Sequence, residues 1–162
     1  MNRRGIRASL AAVAATMAAF GAMATMSTAA EDGSVDGKFT ATVRAVDASF
    51  DVDKGSVKRS YEFECLNGKC SKVEFKREAG DGFYKSKLNE KKPGVFEGTE
   101  KAKNDDCPDS DGTSDRFVDH EVTITKASKS GKAKELKGTA YYTWPDCDGE
   151  PWQKTKFTAV RK

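Results

Sequence analysis

His120 is the only histidine in the chain, and it is the residue best suited to acid–base chemistry. It stands in the alternating stretch Val118-x-His120-x-Val122. This pattern places it on an apolar face, where a histidine is more often a hydrogen-bonded core residue than a catalyst. The one enzyme mechanism that we consider is a hydrolase using His120 and a carboxylate. The chain has no nucleophile elbow, zinc-protease motif or phosphate-binding loop, so we expect no enzymatic activity.

Four cysteines are the next group with a defined chemistry. Cys65 and Cys70 enclose Asn67-Gly68, the strongest short signal for a β-hairpin. A two-residue turn brings these cysteines opposite each other, and a disulfide needs that short distance. By exclusion, Cys107 pairs with Cys147. A four-cysteine zinc site is disfavoured because paired C-x-x-C spacing is missing.

The register of this hairpin is less simple than its turn. With a two-residue turn, the apolar faces of the two strands disagree. With a three-residue loop, Tyr61 lies opposite Val73 and the faces agree, but Cys65 and Cys70 point to opposite sides. Both demands are met if one extra residue is absorbed, so we predict a β-bulge between Lys69 and Lys72.

Acidic residues are concentrated in the two segments that the second disulfide would join. A bridge there would gather several carboxylates, and hard oxygen ligands suit Ca²⁺. Asp109-x-Asp111-Gly112 resembles part of a calcium loop, but Cys107 stands where its first ligand belongs. A solvated acidic loop pair is the preferred interpretation. The alternative is a weak calcium site, and its expected ligands are Asp105, Asp106, Asp109, Asp111, Asp146, Asp148 and Glu150.

Aromatic residues flank the acidic turn Pro145–Pro151. Trp144 and Trp152 lie on either side, and Tyr141 comes just before. Aromatic rings beside a loop can form a platform for a sugar or a peptide. The candidate ligand or partner surface is therefore Trp144, Trp152, Tyr141 and His120. We expect Trp144 to close the end of the fold, because it continues the inward face of its strand.

Residues 1–30 predict a secretory signal peptide. Arg3, Arg4 and Arg7 precede an Ala-rich apolar stretch, and small residues lead to Ala30, where we predict cleavage. The Arg pair leaves twin-arginine export open as the route, and an uncleaved membrane anchor is the alternative. We expect no membrane span after cleavage and a secreted, extracellular protein. Residues 31–37 are polar and are expected to be flexible, and residues 38–162 form one domain.

Removal of the signal changes the charge balance. The whole chain has 28 basic and 25 acidic residues, and the signal contains three arginines and no acid. The mature chain therefore has 25 of each and is formally neutral. This balance removes the compositional support for nucleic-acid binding. We expect a monomer.

Period-two alternation recurs along the mature chain, with turn residues between the alternating stretches. Phe39, Ala41 and Val43 show the first such stretch, and Phe157 with Ala159 show the last. About eight strands follow one another with short connections. The sequence therefore predicts an all-β fold, an antiparallel up-and-down meander that closes like a barrel, with a β-sandwich as the alternative.

In a meander, successive loops alternate between the two ends of the barrel. The loops at 47–56, 78–82, 101–115 and 145–151 then share one end, which we call the acidic end. The loops around Lys69, at 90–92 and at 126–134 share the other, which we call the basic end. Cys107 and Cys147 fall at the same end, as a disulfide between them requires.

The motif Tyr61-x-Phe63-x-Cys65-x4-Cys70-x-x-Val73-x-Phe75-x-Arg77 resembles a segment of small actinobacterial secreted β-domain proteins. It is also similar to the extracytoplasmic sensor domains of actinobacterial Ser/Thr kinases. The resemblance would cover most of residues 38–162, although we expect no attached kinase or membrane segment of the kind those sensor domains have. It implies a binding or sensing module and no catalytic residues.

The sequence thus predicts a secreted, two-disulfide binding, sensing or interaction module. Its partner would be a protein or a small extracellular ligand, and we expect no required cofactor apart from the calcium alternative. A secreted inhibitor of a protease or other hydrolase is the alternative function. It would present a disulfide-rigidified loop, Asp106–Asp115 or Pro145–Trp152, that is pre-organised for a rigid partner.

Overall fold

The computed structural model describes residues 34–66, 68, 70–79 and 82–162. The predicted signal peptide and its cleavage site lie outside these residues. Eight β-strands follow in chain order: β1 (Gly37–Ala48), β2 (Ser56–Cys65), β3 (Lys72–Ala79), β4 (Gly82–Lys92), β5 (Val95–Asp106), β6 (Thr113–Ala127), β7 (Ala133–Thr143) and β8 (Trp152–Arg161). No helix in the described part of the chain is long and apolar enough to cross a membrane.

The strands form a closed barrel in which each strand pairs with its sequence neighbour and β1 pairs with β8. All eight ladders are antiparallel, and the closing ladder runs from Phe39 opposite Arg161 to Ala48 opposite Gln153. Closure removes the two free edges that an open sheet would expose. The predicted up-and-down barrel is therefore confirmed, and the sandwich alternative is wrong.

Alternation of side chains explains why these segments form strands with one buried face. In β6, Val118, His120 and Val122 are buried, whereas Asp119 and Glu121 are exposed. The same period of two appears in β8, where Thr155, Phe157 and Ala159 are buried. Val57 is an exception, because it is 45% exposed although it continues the apolar alternation of β2.

The half of the interior nearer the basic end is an apolar core. Phe63 stacks on Phe75 with ring centroids 4.6 Å apart, and Tyr61 packs edge-on against Phe75 and Phe157, each at 5.0 Å. Such ring contacts add to the free energy of simple burial. The largest fully buried apolar side chains are Phe39, Phe63, Phe75, Phe96, Leu88 and Leu136.

The ladder between β4 and β5 is much shorter than its neighbours. It contains three residue pairs, from Asn89 opposite Glu97 to Lys92 opposite Val95, whereas the β3–β4 ladder contains eight. Gly98 of β5, just beyond this ladder, lies very close to the β4 backbone. A Cβ atom there would lie 2.2 Å from the Lys87 carbonyl oxygen, so only glycine fits.

Both predicted disulfides, Cys65–Cys70 and Cys107–Cys147, are confirmed. The predicted β-bulge in the first hairpin is wrong. The β2–β3 register runs without a shift from Tyr61 opposite Arg77 to Cys65 opposite Val73. The two strands are joined by residues 66–71, a longer connection than the Asn-Gly turn assumed, and residues 67 and 69 lie outside the described part. Cys70 has a φ of 55° in this connection.

The segment before β1 is packed against the barrel rather than loose over its described part. Val35 is fully buried, and Ser34 forms a parallel bridge with Lys132. The Arg161 guanidinium donates to the Asp36 carbonyl and, through Nε, to the Ala133 carbonyl. Residues 34–37 therefore belong to the folded domain, which begins before the predicted boundary at residue 38.

Candidate functional site

The half of the interior nearer the acidic end contains a buried charged cluster instead of apolar side chains. Arg77 of β3 and Glu100 of β5 form a two-pronged ion pair, with Nη2 to Oε1 at 2.8 Å and Nε to Oε2 at 3.3 Å. Their side chains are 8% and 3% exposed. Ser86 of β4 donates to the same Oε2 atom at 2.9 Å. A paired geometry of this kind is the strongest that a carboxylate forms with a side chain.

His120 adjoins this ion pair from β6. Its Nε2 atom lies 3.5 Å from Glu100 Oε2, and its ring meets Phe75 edge-on at 5.3 Å. Burial lowers the pKa of His120 below 6.5, and the nearby Glu100 carboxylate opposes this only in part. The imidazole is therefore neutral at pH 7 and sits at the boundary between the apolar and the charged halves.

The pKa of Glu100 is set by opposing effects. Burial alone raises the pKa of a carboxyl group, but the contacts with His120, Arg77 and Ser86 outweigh burial and lower it from 4.5 to about 2. Glu100 is consequently ionised throughout the neutral range. The buried Arg77 guanidinium thus has a permanent counter-charge.

A second arginine, Arg116 of β6, completes the cluster. Its Nη1 atom donates to Asp105 Oδ2 at 2.9 Å, and the same oxygen accepts from the Trp144 indole Nε1 at 2.9 Å. Asp105 reaches the interior because β5 contains one extra residue between Ala102 and Asp105 relative to β6, with Asn104 at a φ of 52°. This bulge reverses the facing of the residues that follow it.

Two tyrosine rings lie against both guanidinium groups. Tyr84 is 4.7 Å from Arg77 and 4.8 Å from Arg116, measured from ring centroid to guanidinium carbon. Tyr142 is 5.7 Å and 5.9 Å from the same two groups. These distances are in the range of cation–π attraction. The tyrosines hold the two arginines close together despite their like charge.

Four buried nitrogen atoms of the cluster have no hydrogen-bond partner in the described part of the chain. They are Nε and Nη2 of Arg116 and both ring nitrogens of His120, whose Nε2 approaches Glu100 Oε2 to 3.5 Å without meeting hydrogen-bond geometry. Unpaired buried donors are costly, and they usually indicate an ordered water or a ligand. The cluster is therefore a candidate binding site as well as a structural element.

The structure divides the four predicted surface residues into two pairs. His120 and Trp144 point inward and are 4% and 6% exposed. Trp144 packs edge-on against Phe50 at 5.9 Å near the acidic end, where the sequence placed it. Tyr141 and Trp152 are on the outside of the barrel and stack on each other at 5.7 Å. One contiguous surface of all four residues does not exist.

Tyr141 borders a groove of about 630 Å³ on the outer wall of the barrel. Outward-facing residues of β4, β5, β6, β7 and β8 line this outer groove. Thr99 donates to Asp119 at 2.6 Å on its floor. The remaining polar residues that line it are Lys87, Asn89, Lys91, Glu97, Glu121, Thr139 and Lys154, together with His120, whose side chain is buried in the barrel.

The acidic residues that were expected to bind calcium are at one end of the barrel, but they do not converge. Asp105 is turned inward to Arg116, and Asp146 accepts from Ser114 Oγ at 3.3 Å. Among the described residues, no group of three or more His, Cys, Asp or Glu side chains is placed to hold a metal ion. Calcium binding stays a prediction. Asp105 is the least available of the expected ligands, because its carboxylate is already paired with Arg116 inside the barrel.

Arg77, Glu100 and Arg116 were not singled out from the sequence. Their position in the alternation carries a signal, because Arg77 follows Val73 and Phe75 on the inward face of β3. Glu100 likewise follows Phe96 and Gly98 in β5. Charged residues at inward positions of separate strands indicate a buried ion pair. Asp105 could not be found in this way, because the bulge changes its facing.

No protein-family model matches the chain, and neither a curated protein nor a solved structure matches it.

Proposed function

We propose that this protein is a secreted, non-catalytic binding module whose ligand is a saccharide held in the outer groove. One observation carries the proposal: Tyr141, whose ring stacks on Trp152, borders a groove lined by hydrogen-bonding side chains. The flat face of a sugar ring packs on an aromatic ring, and its hydroxyl groups need both donors and acceptors. Tyr141 is 39% exposed, so its ring is open to a ligand.

The groove supplies both kinds of hydrogen-bonding group. Lys87, Lys91 and Lys154 face Glu97, Asp119 and Glu121, three charges of each sign, and no ion pair joins them within the described residues. Balanced charge disfavours a strongly anionic polymer such as nucleic acid. Hydroxyl groups can bond to lysines and carboxylates alike, which suits a polyhydroxylated ligand.

A second depression of about 590 Å³ shares Glu121 and Thr139 with the outer groove and continues across β7 and β8 to β1. It contains Arg44, Lys137 and Lys156, against Glu121 alone, so its charge is positive. An oligosaccharide long enough to enter both depressions would bind more tightly if the end in the second, positive depression carried acidic groups. We therefore expect a polymer segment rather than a single sugar.

The proposal is tested by titrating the purified protein with neutral and uronic-acid oligosaccharides and following tryptophan fluorescence and heat. Trp152→Ala and Tyr141→Ala should each weaken binding about tenfold or more, as for an aromatic residue at the centre of an interface. Phe83→Ala is the matched control, because Phe83 is 65% exposed and does not line the groove. Absence of binding across the panel, or binding that Tyr141→Ala leaves intact, would overturn the proposal.

The alternative of a hydrolase inhibitor is supported by one feature. Cys107–Cys147 ties the 107–112 connection to the 144–151 connection at the acidic end. A cross-linked loop loses less conformational entropy when it binds a rigid partner. Titration against secreted proteases and glycosidases distinguishes the two functions, because an inhibitor abolishes hydrolysis at a one-to-one ratio and reduction of this disulfide restores it.

A further inference from the structure

The buried edge of Arg116 differs from that of Arg77 in one respect. Arg77 uses its Nε and Nη2 atoms together to bind the Glu100 carboxylate. The same two atoms of Arg116 are buried and have no hydrogen-bond partner in the described part of the chain. This edge of a guanidinium presents two parallel N–H groups spaced for the two oxygens of a carboxylate.

No side-chain carboxylate of the cluster fills that edge. Asp105 is bound to the opposite Nη1 atom, and Glu100 Oε1 lies 3.7 Å from Nη2, which is an ion-pair contact but too long for a hydrogen bond. The tyrosine rings of Tyr84 and Tyr142 lie against the same guanidinium, so its orientation is fixed. His120, whose side chain is 1% exposed, has two further nitrogens that form no hydrogen bond within the described residues, and its Nε2 lies 3.5 Å from Glu100 Oε2.

We propose that the Nε–Nη2 edge of Arg116 is a binding site for the carboxylate group of a small organic acid. The site is independent of the outer groove, because it lies inside the barrel at the acidic end. The Nε and Nη2 atoms are themselves buried, so a ligand of a few heavy atoms has to enter past Tyr84 and Tyr142, which are half-buried at that end. A carboxylate there receives two charge-assisted hydrogen bonds, and the two buried donors gain a partner.

The charges around the site give a second consequence. Arg77 and Arg116 are balanced by Glu100 and Asp105, and His120 is neutral. The titratable and charged groups that act on His120 are Glu100 from β5, Arg77 from β3 and Asp119 from its own strand. A bound carboxylate adds one negative charge to this balanced set, so it increases the affinity of His120 for a proton.

The experiment uses the fact that His120 is the only histidine. The imidazole resonances of the full-length mature protein are followed by NMR while acetate is added at constant ionic strength. Acetamide, which is nearly isosteric and uncharged, is the matched ligand control. We expect a saturable shift with acetate alone and a higher titration midpoint for His120 in its presence. A parallel titration with triglycine shows whether a peptide carboxyl terminus enters as well; a response to acetate supports the site in either case.

Arg116→Lys keeps the charge but removes the two-pronged edge, and it should weaken acetate binding about tenfold or more. Lys58→Arg is the control and should leave binding unchanged, because Lys58 is exposed on the outer wall and lines neither depression. If Arg116→Lys does not fold, the acetate and acetamide titrations of the unaltered protein still decide the question. The proposal is overturned if acetate gives no saturable shift, which would mean that the four nitrogens bind internal water only. It is also overturned if acetate and acetamide act alike.

Discussion

Replacing Glu100 with glutamine tests whether the buried charged cluster stabilises the barrel. Glu100→Gln preserves the volume of the side chain but leaves the Arg77 charge, on a side chain that is 8% exposed, without its counter-charge. Removing one partner of a buried ion pair costs about 3–5 kcal/mol of unfolding free energy. For a domain of this size we expect the midpoint of thermal unfolding to fall by about 10 °C or more.

The pKa of Glu100 gives a second measure of the same interaction. A fall from 4.5 in the unfolded chain to about 2 in the barrel corresponds to about 2–3 kcal/mol once solvent screening at the barrel end is allowed for. Because the folded pKa is the lower one, this stabilisation is fully present above pH 4.5 and is lost as the pH falls toward 2. The difference in stability between the native protein and Glu100→Gln should therefore shrink over that interval.

Urea unfolding followed by tryptophan fluorescence at neutral pH and at several acidic pH values measures both effects. Glu64→Gln is the matched control: Glu64 also pairs with a basic residue, Lys76, at 2.9 Å, but its side chain is 60% exposed. The control should lose only a small fraction of what Glu100→Gln loses. The reasoning is refuted if the two variants lose similar stability, or if the deficit of Glu100→Gln persists unchanged at pH 2.

Three further predictions concern single features of the barrel. The NMR titration midpoint of His120 without ligand should lie below 6.5 because its imidazole is buried; a midpoint above 6.5 contradicts the geometry. Gly98→Ala should lower the unfolding free energy by about 1–3 kcal/mol, because the new Cβ would collide with the β4 backbone. Gly82→Ala is the control, because a Cβ there meets no atom within 4 Å. Equal urea midpoints for the two variants would contradict this prediction. Replacing both cysteines of Cys107–Cys147 by serine should cost about 4 kcal/mol, and the same change at Cys65–Cys70 about 2 kcal/mol, because the bridges close segments of 40 and 5 residues. Denaturant unfolding of the two variants checks this order, and the reverse order would refute the chain-entropy explanation.

The fold could be predicted from the sequence because strand alternation is a local property. Val118, His120 and Val122 show the period of two within one strand, and short connections leave few topologies besides a meander. The pairing of Cys107 with Cys147 followed from exclusion and agreed with the ends to which the meander assigns them. No long-range contact had to be known for either conclusion.

The candidate site was harder to predict because it depends on shifts of register. Asp105 faces the interior only because of the extra residue in β5, and period-two counting assigns it to the outside. The loop between Cys65 and Cys70 is an error of the same kind, since the Asn-Gly signal suggested a tighter turn than the one formed. Tyr141 and Trp152 were grouped with Trp144 by proximity in sequence, although their side chains are on opposite sides of the wall.

The short β4–β5 ladder has a consequence for how the molecule moves. Over residues 82–88, β4 is paired with β3 but not with β5, so its amides on that side lack ladder partners. The β3–β4 hairpin is therefore joined to the neighbouring strands by fewer backbone ladder pairs than any other two consecutive strands. Local opening takes place where the fewest such pairs must break. Amide hydrogen exchange should thus be fastest, among the strands, in β4, and the hairpin should swing outward as one unit while the paired strands β5–β8 and β1 remain protected.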